Sequence, residues 1–307
     1  MLPNMDATPF PRPKSTARAR ASKAVDASRE PAKLLIPKPL PRWVASDVGP
    51  QVGARDAAFA AGAALLSLDQ IVRSDAPWLA VLRARLALKA ASVAAKLLRQ
   101  KADEAVLRDA QHLTRPGDDP GPAGRLHRLL RQISTRPTRQ AGDVLPMMEA
   151  ELRGAPVAAE FLSLLEADLV LSQKLGWAMP LLLHVGIILD PALRQNPDGR
   201  RPRADHPGWG RTRDHALFVA ISACHAQAVT LARRAEVLVL AAKNLRTRDE
   251  GRGLALVLAD DAVAPWRMVG RAGFGSDRAA RRFCETLAAQ GALQRLTDRP
   301  TFRLYGL

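Results

Sequence analysis

Residues 276–307 read SDRAARRFCETLAAQGALQRLTDRPTFRLYGL, and the fold reading starts there. Ser276 stands where a helix N-cap belongs, and Asp277 puts a negative charge in the first turn. At ~100° per residue, Ala279, Ala280, Phe283, Cys284 and Leu287 gather on one side of the helix. Arg278, Arg281, Arg282 and Glu285 gather on the other. Gly291 stops the helix, because a C′ position favours the left-handed backbone that glycine adopts without strain. Beyond it, Leu293–Thr297 and Thr301–Tyr305 flank the turn Asp298-Arg299-Pro300, the pattern of a β-hairpin.

Reading upstream, Leu254–Asp260 predicts a short helix. Pro265–Gly275 supplies Trp266, Met268, Val269 and Phe274 for a small core. Two short helices, a helix with an arginine face and a basic hairpin make the order of a winged helix-turn-helix. Residues 251–307 are therefore expected to form that module, with Phe283 and Leu287 packed against its first helix and against Phe302. Arginine suits the task, because its fork pairs with phosphate or with guanine edges. Ser276, Arg278, Arg281 and Arg282 on the helix, with Arg295, Arg299 and Arg303 on the wing, are the expected DNA contacts. A partner-binding winged helix would look similar, and three arginines also suit a plain solvated face. Gly270–Ser276 (GRAGFGS) lacks the strand and the spacing of a nucleotide loop, so it reads as the turn before the recognition helix.

The middle of the chain reads as a second, helical domain, residues 54–248. Helices are predicted at Ala57–Leu68, at Trp78–Leu98 opened by Pro77, and at Asp103–Leu113 with acids at its start. Shorter ones fall at Leu126–Ile133 and, weakly, at Met147–Leu152. Residues 156–176 predict a buried helix, and Trp177–Leu189 another. Asp214–Leu245 carries the longest apolar stripe, from Leu217 and Ile221 through Leu231 to Ala242. Ala and Leu dominate and aromatics are only 4%, which favours closely packed helices over sheets. The fold class is thus mainly α.

The charge is the other strong signal. There are 46 Lys+Arg against 30 Asp+Glu, a net +16, with a pI near 11.1. Such a surface concentrates polyanions, of which nucleic acid is the commonest for a soluble protein. An Arg- and Ala-rich genome would leave the same mark. Residues 1–42 hold eight prolines and nine Lys/Arg with few large apolar residues, and are expected to be a disordered basic tail. Cys224 and Cys284 stand 60 positions apart with no CxxC, which fits a reducing cytoplasm rather than a disulfide scaffold. The Trp177–Leu189 run is too short to span a membrane, and the basic N-terminus lacks the apolar core of a signal peptide. A cytoplasmic protein with no membrane partner is expected.

Catalytic signals are thin. The six histidines show no HExxH or other tight metal spacing, and GxSxG and P-loop motifs are missing. No catalytic residue, metal or cofactor is assigned. The loop around residues 194–213 offers a secondary anion site, Arg200, Arg201, Arg203 and Arg211 around Trp209, since arginines beside an aromatic can grip a polyanion. An enzyme acting on a phosphorylated or nucleotide substrate in the helical domain is one alternative. It would use Asp103, Glu104 and Asp109 near His112 together with this loop. A protein-interaction scaffold with a protein partner is another.

The terminal string, with FAAGAALLSLD at 59–69, RLALKAA at 85–91, DEAVLRDA at 103–110, PGDDPGPAGR at 116–125 and LARRAEVLVLAAKNLR at 231–246, resembles an uncharacterised bacterial family, domain of unknown function 1403. The resemblance covers about residues 54–307. Where that family carries an acidic EDEA, this chain has Lys101-Ala102-Asp103-Glu104-Ala105, so its paired acids are only partly kept. It implies no chemistry. It does imply an association with plasmids and other mobile DNA, which favours a DNA-linked role.

Overall fold

A computed structural model describes residues 36–45, 54–115, 117–155, 158–194, 199–200, 202, 207, 209–243, 245, 250–271, 273–297, 299 and 302–307. The fold is mainly α. In chain order the helices are α1 (Arg42–Ala45), α2 (Ala54–Val72), α3 (Leu79–Leu97), α4 (Glu104–Leu113), α5 (Gly121–Thr135), α6 (Thr138–Ala141), α7 (Leu145–Glu151), α8 (Ala158–Lys174), α9 (Trp209–Lys243), α10 (Glu250–Ala259), α11 (Pro265–Met268) and α12 (Asp277–Ala289). Two strands, β1 (Gln294–Arg295) and β2 (Tyr305–Gly306), follow.

The centre is α3, which is buried almost all round. Its run of Ala at 84, 87, 90, 91, 94 and 95 removes side-chain bulk, so α4, α5, α9 and α10 can all pack against it. The long α9 lies along α2, where Ser67 and His225 hydrogen-bond at 2.9 Å. By length and composition Thr212–Lys243 could cross a membrane, a property the Trp177–Leu189 run lacks. But 61% of its most apolar window is buried inside the fold, as in a core helix.

Three expectations about the body are corrected. Trp177–Leu189 is not a helix, although it is buried. Pro180 interrupts it, and side chains of α8 replace the missing helical hydrogen bonds. The fully buried Asp168 carboxylate accepts from the His184 amide at 2.9 Å and from the Val185 amide at 3.4 Å. Ser172 Oγ accepts from the Leu181 amide at 3.4 Å. The expected tail reached residue 42. Residues 1–35 lie outside the described residues, but within 36–42 Pro37 is buried and Leu40 packs against the core. Nor does the expected boundary at 248–251 separate two cores. One apolar cluster runs from Val44 through Leu82 and Ile221 to Phe283 and Leu307, and Leu34–Leu307 is one compact unit.

Within that unit the last segment has its own topology. α10 leads to Val263, which pairs with Tyr305 in both directions (2.7 and 3.0 Å). α11 and a turn follow. In that turn Gly270 and Gly273 take positive φ, and Val269 bridges Phe274. Ser276 caps α12 by accepting from the Ala279 amide, and Gly291, at φ 72, ends it. β1 and β2 then pair antiparallel, Gln294 with Gly306 and Arg295 with Tyr305. Gly306 must be glycine, because a Cβ there would lie 2.4 Å from the Asp261 carbonyl oxygen.

The facing of α12 follows the reading for Phe283, Cys284, Leu287 and Ala280, all buried, but Ala279 is exposed. Phe283 meets Phe274 at 5.2 Å between ring centres and presses against Gly253 of α10. Phe302, expected to cover Phe283, is instead 52% exposed. The paired part of the hairpin is shorter than the two five-residue runs suggested, and Phe302 lies outside it. Phe283→Ala should therefore destabilise the chain by about 3–5 kcal/mol. Gly253→Ala should also destabilise it, since its Cβ would sit 2.9 Å from the Phe283 ring. Chemical denaturation checks both, and an unchanged midpoint for Phe283→Ala would contradict this packing.

Candidate nucleic-acid interface

The α12 helix owes its two faces to spacing alone: apolar residues recur at three and four, and arginines fill the gaps. Arg278 and Arg282 are exposed, and neither has an ion pair among the described residues. Arg281 pairs with Asp277 one turn earlier at 2.8 Å, with its side chain 53% exposed. Such a pair holds only a few tenths of a kcal/mol and exchanges readily. Ser276 spends its side chain on the cap.

The wing arginines are placed differently. Arg295 donates to the carbonyls of Thr297 and Arg299, closing the hairpin turn on itself (2.9 and 3.1 Å). Arg299 reaches across to Asp109 of α4 at 2.9 Å. Arg303 pairs with Glu285 of α12 at 2.6 Å. The structure thus brings Ser276, Arg278, Arg281 and Arg282 together on one helix, while the three wing arginines are engaged with carbonyls and carboxylates of the fold.

The hairpin is held against the helical body. Ala262, Ala264 and Leu304 form a small apolar cluster with Leu113 of α4 and Leu296. Beneath it lies the feature that sequence reasoning missed. Asp261, with 4% of its side chain exposed, takes Arg85 of α3 on one oxygen at 2.9 Å and Arg108 of α4 on the other at 2.5 Å. Arg85 also donates to the main-chain oxygen of Leu307. Asp260 takes Arg131 of α5 in a two-pronged pair, 2.6 and 2.9 Å. Burial alone would raise the Asp261 carboxyl, but Arg108 and Arg85 override it and hold its pKa below the usual range. The four partners lie far apart in sequence, and no local pattern announces them.

Two histidines border this junction. Burial pushes His112 down to about 4 and His127 down to about 3, with Arg131 acting the same way on both. Neither ring nitrogen of His127 has a hydrogen-bond partner among the described residues. His112 is thus a neutral, buried group. The acids once grouped with it have other work: Asp103 caps α4 by accepting from the Val106 amide at 2.9 Å, and Asp109 holds Arg299.

Of the proposed second anion site, Arg201, Arg203 and the Arg211 side chain lie outside the described residues. Arg200 is exposed, whereas Trp209 is half-buried and lines a small apolar cavity with Leu164, His184, Ile187 and Ile188. Asp168 binds Nδ1 of His184 at 2.7 Å there. Burial opposes protonation of that ring, but the Asp168 carboxylate raises its pKa overall. Among the described residues no three His, Cys, Asp or Glu converge as a metal site would need. Both cysteines are buried and free, and burial pushes each thiol up to about 12.

Fold and site together define a mainly helical protein whose carboxy-terminal segment carries an exposed arginine helix. The family described as "Protein of unknown function (DUF1403)" matches residues 30–153 and 141–307, and the chain belongs to it. The match begins upstream of residue 54 and takes in the segment around Pro37 and Val44 that packs on the core. No curated protein and no solved structure matches the chain.

The junction makes stability depend on pH in a defined direction. His112 and His127 titrate near 4 and 3 in the folded chain but near ~6.5 when unfolded. Between those values the unfolded chain binds the extra protons, so stability falls as pH drops from about 7 towards 4. His112 alone accounts for on the order of 3 kcal/mol over that window. Below about 4, the stabilisation from the Asp261 ion pairs is lost as well. His127→Leu should flatten the acid slope without loss of stability at neutral pH, since the removed ring has no partner. Asp261→Asn should cost about 3–5 kcal/mol, because it leaves two half-buried guanidinium groups short of their counter-charge. Denaturant titrations from pH 4 to 8 check these; equal slopes for wild type and His127→Leu would refute the linkage.

Proposed function

We propose that the chain binds duplex DNA through residues 251–307, folded as a winged helix-turn-helix with α12 as its recognition helix. The observation that carries this reading is the outer face of α12. Arg278 and Arg282 are exposed there without an ion pair among the described residues, and Arg281 has only a weak, exchangeable one. The order of elements agrees with it. α10, the Val263 bridge, α11, α12, β1 and β2 follow in the sequence a winged helix uses, with β2 central in the small sheet.

The wing takes a lesser part in this reading than the charges alone suggest. Arg295 shapes the turn, and Arg299 and Arg303 face carboxylates. The recognition helix therefore leads, and the hairpin positions it. The association with plasmids and other mobile DNA that the family resemblance implies would fit a regulatory role for such a binder.

Selection of bound fragments from genomic DNA by the full-length protein, followed by salt-titrated affinity measurements, tests the proposal. Affinity should fall steeply with salt, with a slope of about −0.9 per neutralised phosphate. Arg282→Ala should cost about 1–3 kcal/mol and relax preference at one base position. Arg278→Ala should weaken all sequences alike and lower the slope by about one. Identical slopes and no preference in wild type and both variants would overturn DNA reading and leave a protein partner for the module.

A further inference from the structure

The hairpin is held differently at its base and towards its tip. At the base the strands pair, Gln294 with Gly306 and Arg295 with Tyr305, and the Leu296 amide donates to the Leu304 carbonyl at 2.8 Å. Leu304 and Leu296 also join the apolar cluster that includes Leu113 of α4. Towards the tip, charge does the holding. Arg299 reaches Asp109 of α4 at 2.9 Å, and Arg303 reaches Glu285 of α12 at 2.6 Å. Phe302, next to Arg303, is exposed.

Both ion pairs are open to solvent on the arginine side. The side chains of Arg299 and Arg303 are 60% and 40% exposed, and that of Glu285 is 48% exposed. Pairs of this kind add little to stability and exchange readily. A guanidinium takes a phosphate oxygen much as it takes a carboxylate oxygen, at about 2.7–2.9 Å. Each carboxylate therefore holds its arginine in the way a phosphate of bound DNA would. The place of Glu285 adds weight to this. It follows Arg282 by three residues and Arg281 by four, so it shares their helix face. An acid on the face proposed to meet a polyanion repels it, unless a cation covers the acid. Arg303 is that cation.

We infer that Asp109 and Glu285 are built-in competitors of the DNA backbone, holding Arg299 and Arg303 of the wing until a duplex seated on α12 draws them off. The inference rests on the proposed function of the module and adds a means of regulating it. Phosphate contacts attract every duplex alike, whereas base contacts favour one sequence. On an unrelated duplex, which α12 does not seat, both pairs stay closed and two phosphate contacts are forgone. On the selected duplex the wing opens to the backbone and both contacts form. The two carboxylates thus widen the gap between the right sequence and the rest.

The test uses the full-length chain with the selected duplex and an unrelated duplex of equal length. For wild type, the salt slope should be shallower by about two on the unrelated duplex. Glu285→Gln should steepen that slope by about one and raise affinity for the unrelated duplex roughly two- to five-fold, the strength of an exposed pair. Asp109→Asn should do the same through Arg299. On the selected duplex both variants should keep the wild-type slope. In an Arg303→Gln background the gain from Glu285→Gln should vanish, because the group to be freed is gone. A gain that persists there overturns the competitor, since loss of negative charge alone then explains it. Unchanged slopes on both duplexes, with Arg282→Ala still relaxing preference, overturn the competitor and leave the α12 reading intact. A gain that vanishes in the Arg303→Gln background, with no loss from Arg282→Ala, supports the competition and overturns α12 as the reader. Failure of wild type and every variant to bind either duplex overturns both.

Discussion

Everything at the carboxy-terminal end hangs on the carboxylate of Asp261. A buried carboxylate is costly unless opposite charges and hydrogen bonds meet it, and here Arg85 and Arg108 supply them from two different helices. The constraint is reciprocal. α3 and α4 are each held to the segment after α10, and Arg85 extends the tie to Leu307. Asp260 does the same for α5 through Arg131. Ion pairs of this kind add little net stability over an apolar contact, but they allow few alternative registers. The last segment therefore has one seat on the body. Its hairpin does not stand clear of the fold, as Arg299 on Asp109 and Leu304 beside Leu113 also show.

What was legible in the sequence follows from how local each cause is. The two faces of α12 were readable because Phe283, Cys284 and Leu287 recur at helical spacing, and because Ser276 and Gly291 act within a few residues of themselves. The stripe of α9 was readable for the same reason. Trp177–Leu189 was not. Its apolar residues suit a buried helix, but amides within it are satisfied by side chains of Asp168 and Ser172 on the preceding helix α8. Propensity cannot anticipate a carboxylate that replaces a helical turn. Phe302 failed for a related reason. The aromatic that covers Phe283 is Phe274, from the turn before α12, so no space was left for a residue of the wing.

The junction was the least visible part of the site. Asp260-Asp261 after an apolar helix looks like an ordinary polar helix end, and Arg85, Arg108 and Arg131 look like solvated faces. Only the packing of α3, α4, α5 and α10 turns five scattered charges into one network. The same packing gives structural work to residues that an enzyme would have used. Asp103, Asp109 and His112 are neighbours in sequence on or beside one helix, but the first caps, the second pairs with the wing, and the third is buried and neutral.

Net charge is a weak guide to what this protein does, and the structure sharpens it. A surplus of arginine raises the average potential whether or not any surface was shaped for an anion. The distinction lies in which arginines the fold neutralises. Arg85, Arg108 and Arg131 are bound to carboxylates at the junction, and Arg299 and Arg303 to carboxylates along the hairpin. Arg278 and Arg282 on α12 have no such partner among the described residues. Exposed arginines without an ion pair among the described residues also stand elsewhere, Arg55 on α2, Arg139 on α6 and Arg233 on α9, as a surplus set by codon usage would leave them. Arg278 and Arg282 differ in sharing one face of one helix, on a segment that Asp260 and Asp261 tie to the body. It is this paired, uncompensated charge, rather than the total of +16, on which the proposed contact with a polyanion rests.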